Sequence, residues 1–244
     1  MIRLAKKIVI FLLLNFLLLL ALLYFLNWQV ESQEFKNWTT EANLLHMPKS
    51  SHFDIVMLGT SHTRMFSRAE NHLRMEDILD KEILNLSQGY GRGGMLNQYA
   101  FLRYFYLQDN SADTVVYFLD PFVFFNKYFD SKDKIFEIEP FRPAFLYIIT
   151  DLGFEPSVIY SYLYSKFTKE WLEMKPIHWK SIDNEIERVN AVSVFKRYNV
   201  VYPDNIDMKT YHEKKELIRE LVEYIKYEKD TPLVFAIPPS LIEW

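Results

Sequence analysis

Residues 8–26, "IVIFLLLNFLLLLALLYFL", carry no charge, and Asn15 is their one strongly polar side chain. As a helix rising about 1.5 Å per residue, such a run matches the ~30 Å hydrocarbon core of a bilayer. It is apolar on every face, which suits lipid better than a core helix does. Arg3, Lys6 and Lys7 precede it, and Tyr24 and Trp28 stand at its far end, where amphipathic rings favour the interface. The run exceeds the roughly 7–15 apolar residues of a cleaved signal peptide, and no A-x-A follows it. The expectation is an uncleaved, single-pass signal anchor in the cell membrane. Residues 1–7 are then cytoplasmic, residues 8–28 meet the lipid bilayer, and the main domain is extracytoplasmic.

Residues 29–50 are polar and mixed and read as a stalk, which leaves 51–244 as one α/β domain. Half of the 244 residues are hydrophobic and 17% aromatic, enough to bury a sizeable core. A net charge of −4 gives no footprint for nucleic acid. With no cysteine, neither a disulfide framework nor a thiolate metal site can form. "GYGRGG" fits G-x-G-x-x-G by letter, but Asp120, the acid at the next strand end, lies beyond the usual spacing. No metal and no cofactor are expected. Sequons at Asn37 and Asn85 matter only in a eukaryotic source.

Beyond the stalk, short apolar runs at 53–58, 82–86, 114–119 and 232–237 are bounded by turn residues and read as buried strands. Helix-period segments separate them, at about 62–80, 94–108, parts of 140–173, and 208–230. This alternation argues for a mostly parallel sheet covered on both faces, a three-layer α/β fold. The Phe- and Tyr-dense stretch 101–150 reads as packed core, with an acyl or sugar cleft or a membrane-leaning surface as the functional alternatives.

In such a fold the strand exits carry the chemistry. Five of the six glycines fall between 59 and 94, at two exits: Gly59 after the first run, then Gly89, Gly91, Gly93 and Gly94 after the second. In "DIVMLGTSHTRMF" (54–66) the first exit hands the chain Thr60, Ser61 and His62 before a helix begins. Thr60 or Ser61 could simply cap that helix. Alternatively Ser61 is a nucleophile on a tight turn, with backbone N–H groups from both exits forming an oxyanion hole.

These blocks, "DIVMLGTSHTRMF", "LNLSQGYGRGG" and "TVVYFLDPFVFF", resemble the SGNH (GDSL-like) hydrolase superfamily over residues 53–120. The nearest branch is its membrane-anchored extracytoplasmic group, similar to teichoic-acid D-alanyl transfer and alginate acetylation proteins. The resemblance implies a flavodoxin-like SGNH fold in which Ser61 is the nucleophile. It also implies that Gly89, or Gly91, supplies an oxyanion-hole N–H and that Asn85 supports the turn. The third block departs from the family pattern. Asp120 stands near the expected asparagine and reads as a turn residue before Pro121, leaving Asn126 as the substitute oxyanion donor.

No Asp-x-x-His, the family's general-base motif, occurs in the sequence. His62 adjoins Ser61, but neighbours at a turn do not normally face one another. The expectation is therefore that the C-terminal end is incomplete and the base lies beyond Trp244. The function implied is a serine esterase or O-acyltransferase working through an acyl-enzyme on an acylated cell-envelope polysaccharide or polymer, with a membrane acyltransferase as a possible partner. The alternative is a non-catalytic binding or assembly protein of the cell envelope. A third reading is a scaffold that positions its membrane helix, with Asn15 as an interhelical contact.

Overall fold

Parallel strands need a crossover between each pair, and the chain supplies one each time an apolar run ends. The computed structural model describes residues 2–35, 40–89, 92–120, 122–125, 134–176 and 207–237. Its strands are β1 (His52–Leu58), β2 (Ile83–Asn85), β3 (Ser111–Phe118) and β4 (Leu233–Ala236). They form one all-parallel sheet in the order β2-β1-β3-β4, with Ile55 opposite both Ile83 and Thr114, and Leu233 opposite Val115. All four runs expected as strands are strands.

The helices are α1 (Ile2–Glu31), α2 (Asn43–His46), α3 (Ser61–Arg64), α4 (Asn71–Leu79), α5 (Met95–Leu107), α6 (Phe122–Phe125), α7 (Pro143–Asp151), α8 (Pro156–Tyr164), α9 (Lys169–Leu172) and α10 (Met208–Glu223). Stepping from β1 to β2, and then back past β1 to β3, reverses the direction of travel. Right-handed crossovers then put α3 and α4 on one face and α5 and α10 on the other. Phe66, just after α3, meets Phe118 of the sheet at 5.5 Å; on the opposite side Tyr99 of α5 meets Tyr224, just after α10, at 5.5 Å.

α5 has no polar face because it is enclosed between two cores. Tyr99, Leu102 and Phe105 pack with Val56, Leu58, Val115 and Tyr117 of the sheet. Ala100, Phe101 and Tyr104 join Phe136, Phe145, Phe154 and Tyr162 from the aromatic segment 134–176. Phe101 stacks on Phe145 at 5.4 Å, and Phe136 meets Phe145 edge-on at 5.0 Å. Most of the aromatic residues described between 101 and 150 are therefore core, as the sequence suggested.

α1 is long and apolar enough to cross a membrane. Asn15 Nδ2 donates to Phe11 O at 2.7 Å within its own helix, which engages one N–H of its amide. The expected stalk differs from what is found. α1 runs on to Glu31, and Thr40, Glu41, Ala42, Asn43 and Leu44 are buried in the domain. Their polar groups find partners there: Asn43 Nδ2 donates to Leu86 O at 2.7 Å, and the N–H groups of Asn43 and Leu44 donate to the two carboxylate oxygens of Glu139 at 3.0 and 2.8 Å. Asn85 is likewise buried, which removes it as a glycan acceptor on the folded domain. Asn37 lies outside the described residues.

Burial raises the Glu139 carboxyl to about 7, although the two backbone N–H donors oppose the shift. The folded state thus holds this proton more tightly than an ordinary glutamate with a value of 4.5. Its contribution to stability is complete below that ordinary value and is lost as pH rises through about 7. The stability difference between the wild type and Glu139→Gln should therefore grow as pH falls from 8 towards 4.5, by at most about 3 kcal/mol. Denaturant unfolding of the detergent-solubilised protein at a series of pH values measures it, and a constant difference would refute the assignment.

Candidate functional site

The strand order reverses direction at β1, so the crevice beyond the carboxyl ends of β1 and β3 is where an open α/β sheet presents a ligand site. Two loops meet there. β1 ends into Gly59-Thr60-Ser61-His62, and β3 ends into Asp120.

Gly59 is required by its surroundings. Its φ is +155°, and a Cβ there would lie 2.1 Å from Thr63 Oγ1 and 3.1 Å from the Cβ of Phe118. The chain turns sharply at this point, Thr60 takes an extended conformation as N-cap, and Ser61 becomes the first residue of α3. The first helical hydrogen bond runs from Arg64 N to Thr60 O at 3.0 Å.

No side-chain cap closes this helix. Thr60 Oγ1 donates instead to Asp120 Oδ2, and His62 Nδ1 pairs with Asp120 Oδ1 at 3.1 Å. Both oxygens of a buried carboxylate are thus engaged; the Asp120 side chain is 4% exposed, that of His62 50%. A carboxylate only accepts hydrogen bonds, so Nδ1 carries a hydrogen, and in the neutral imidazole the lone pair then sits on Nε2. That is the tautomer a general base needs, held in orientation by an acid. Ser61 is half-buried beside this pair, and among the described residues no hydrogen bond reaches its hydroxyl.

The second glycine exit does lie against the first. Gln88 N donates to Gly59 O at 3.1 Å, and a Cβ on Gly93 would come within 3.0 Å of Thr60 Cα. Gly93, one of the four glycines of the second exit though not the expected oxyanion donor, is thus the glycine that lets the two loops touch. Gly89 is buried in the same loop, and its carbonyl accepts from Arg92 N at 3.1 Å. Asn85 supports the turn: its Nδ2 donates to Thr63 O at 2.9 Å, and its Oδ1 accepts from Ser87 N at 3.0 Å and from the Ser87 hydroxyl. Gly91 and Asn126 lie outside the described residues.

The structure adds to two sequence expectations. Asp120 is a turn residue, since its carbonyl accepts from Val123 N at 3.1 Å, but its carboxylate is also the polar centre of the crevice. His62 does not have to face Ser61 directly to join the site, because it turns towards β3 and meets Asp120 there. The pair spans 58 residues of sequence, so no local motif could disclose it. The strand order could have, because 2-1-3 makes the β1 and β3 exits neighbours.

Arg64 lies under the site, 1% exposed. Its guanidinium donates to Thr40 O and to Asn85 O at 3.1 Å, and Nε is 3.5 Å from Glu41 Oε2. It joins α3, β2 and the segment that follows α1.

Gly59→Ala should unfold at a lower temperature than Gly153→Ala. Gly153 also has positive φ, +72°, but a Cβ there meets nothing within 4 Å. The latter change carries only the left-handed strain of about 1–2 kcal/mol, the former adds steric overlap. Equal thermal shifts for the two variants would show that packing at Gly59 is not limiting.

The chain matches no family model, no curated protein and no solved structure.

Proposed function

We propose that this chain is a membrane-anchored serine esterase or O-acyltransferase acting on an acylated cell-envelope glycan or polymer. The observation that supports it best is Asp120, whose carboxylate takes hydrogen bonds from Thr60 and His62 on either side of Ser61. Were the Gly-Thr-Ser turn there only to start a helix, the hydroxyl of Thr60 would cap it; Thr60 holds the N-cap position, but its hydroxyl donates to Asp120 instead.

In this reading Ser61 Oγ attacks the acyl carbonyl while His62 Nε2 takes its proton. The tetrahedral intermediate collapses, and the polymer alkoxide leaves with that proton, giving an acyl-enzyme on Ser61. Water or a second hydroxyl then gives its proton to His62 and attacks the ester; as the second tetrahedral intermediate collapses, His62 returns that proton to Ser61 Oγ and frees it. Asp120 keeps the imidazole in the required tautomer and stabilises its cationic form. The Ser61 N–H at the start of α3, with Gly89 from the adjoining loop, is the proposed donor set for the oxyanion. Ser61 Oγ and the imidazole are not hydrogen-bonded in the free protein, so the transfer requires substrate to draw them together or a water to bridge them. The competing reading, a non-catalytic cell-envelope binding protein, draws its support from that gap.

A fluorophosphonate probe on the full-length protein in detergent separates the two. The expected result is stoichiometric labelling at Ser61, abolished in Ser61→Ala and slowed on the order of 10²–10⁴-fold in His62→Gln and Asp120→Asn. An unlabelled wild type would rule out the enzyme. Labelling that His62→Gln leaves unchanged would keep the nucleophile and remove the proposed base.

A further inference from the structure

We propose that the aromatic segment 134–176 is itself a lipid-binding surface, seated in the bilayer at the leaflet where α1 ends. The starting point is where α1 touches the domain. Leu23, Asn27 and Val30 are buried and Leu20 is half-buried, a stripe at helical spacing. Leu23 belongs to the core built by Phe136, Phe141, Phe145 and Tyr162, and Tyr24 meets Phe141 edge-on at 5.7 Å. α1 also packs along the turn Ser165–Phe167 and along α9.

Leu20 and Leu23 belong to the same uncharged run that must fill the hydrocarbon. With Leu26 at the boundary, Leu23 lies about 4.5 Å and Leu20 about 9 Å below it, at ~1.5 Å per residue. Withdrawing this stretch into water would shorten the span to residues 8–19, about 18 Å, too little for a ~30 Å core. It would also bare Leu22, Tyr24 and Phe25, which are 45%, 50% and 57% exposed. The uncovered side of α1 therefore belongs in lipid, and whatever covers the other side at the same depth enters lipid with it.

The surface beside that contact has suitable chemistry. Tyr160, Tyr164 and Phe167 follow one another at helical spacing and are 67%, 57% and 38% exposed. Tyr160 and Tyr164 stack at 5.7 Å with an 11° interplanar angle, and Phe167 ends the turn that packs on α1. Amphipathic rings of this kind concentrate at the membrane–water boundary. Lys169 and Glu173, next along the chain, are exposed and pair at 3.6 Å, which suits the headgroup layer.

The chain has no cysteine, so single cysteines can be placed without background. Leu18→Cys, Tyr164→Cys, Phe167→Cys and Tyr227→Cys, each spin-labelled in the full chain reconstituted into phosphatidylcholine vesicles, report local access to oxygen and to a water-soluble nickel chelate. Leu18 lies in the anchor, and Tyr227, 73% exposed, lies just after α10. The expected result is an oxygen-to-nickel ratio at 164 and 167 severalfold above that at 227 and approaching that at 18. If 18 shows the lipid signature while 164 and 167 match 227, the proposal is wrong and the anchor stands. If 18 also matches 227, α1 is not in lipid and both are wrong.

Discussion

Four consecutive residues, 139–142, hold α1 and the α/β domain in one arrangement. The Glu139 carboxylate takes the first N–H groups of α2, Phe141 N donates to Asn27 Oδ1 at 2.7 Å, and the Arg142 guanidinium grips Glu31 with contacts of 2.6 and 3.0 Å. The arginine pair is bidentate and the amide bond is buried, so each fixes direction as well as distance. Nearby, the Lys166 ammonium is enclosed. It donates to Glu137 O at 2.9 Å and Ser165 Oγ at 2.7 Å, and it lies 4.8 Å from the Tyr162 and Trp171 ring centres. Burial lowers it to about 7, against the pull of Glu139 and Glu137. Charges this deep are costly unless partnered, and these partners come from the segment that grips α1.

The strands were legible because each is a short apolar run between turn residues, and the long N-terminal helix because no charge interrupts its apolar run. The helices at 62–80 and 208–230 were also anticipated, though the first is broken into α3, a 3-10 turn and α4, and the second widens into a π turn at Tyr224–Glu228. What the pattern hid is tertiary. Residues 40–44 look like linker because Thr40, Glu41 and Asn43 are polar, and they are buried only because Glu139, Arg64 and Leu86 O meet them from distant parts of the chain. The site divides in the same way. Ser61 and the glycine turns were visible in local spacing. The Asp120–His62 bond was not, because it follows from which strands are neighbours and not from which residues are.

The two strand exits also depend on what is missing from them. With any side chain at 59, Thr63 could not pack under the turn; with one at 93, the second loop would stand away from Thr60. Gln98 Nε2, from α5, fixes Gly93 O at 2.6 Å, and Gln88 Nε2 reaches Glu41 O at 3.2 Å. The crevice is therefore bounded by backbone held from both sides, which favours preorganised N–H donors over mobile ones.

The same bonds connect α1 with the crevice. Arg64, one turn beyond Ser61, is bonded to Thr40 O and lies beside Glu41, and Glu139 ties the adjoining α2 to the segment that grips α1. The path from α1 to the crevice thus runs through a series of bonded groups, most of them buried. A flexible linker would let α1 and the crevice move independently, over a range that grows with its length. A docked helix gives that freedom up in return for one fixed distance and orientation between the two.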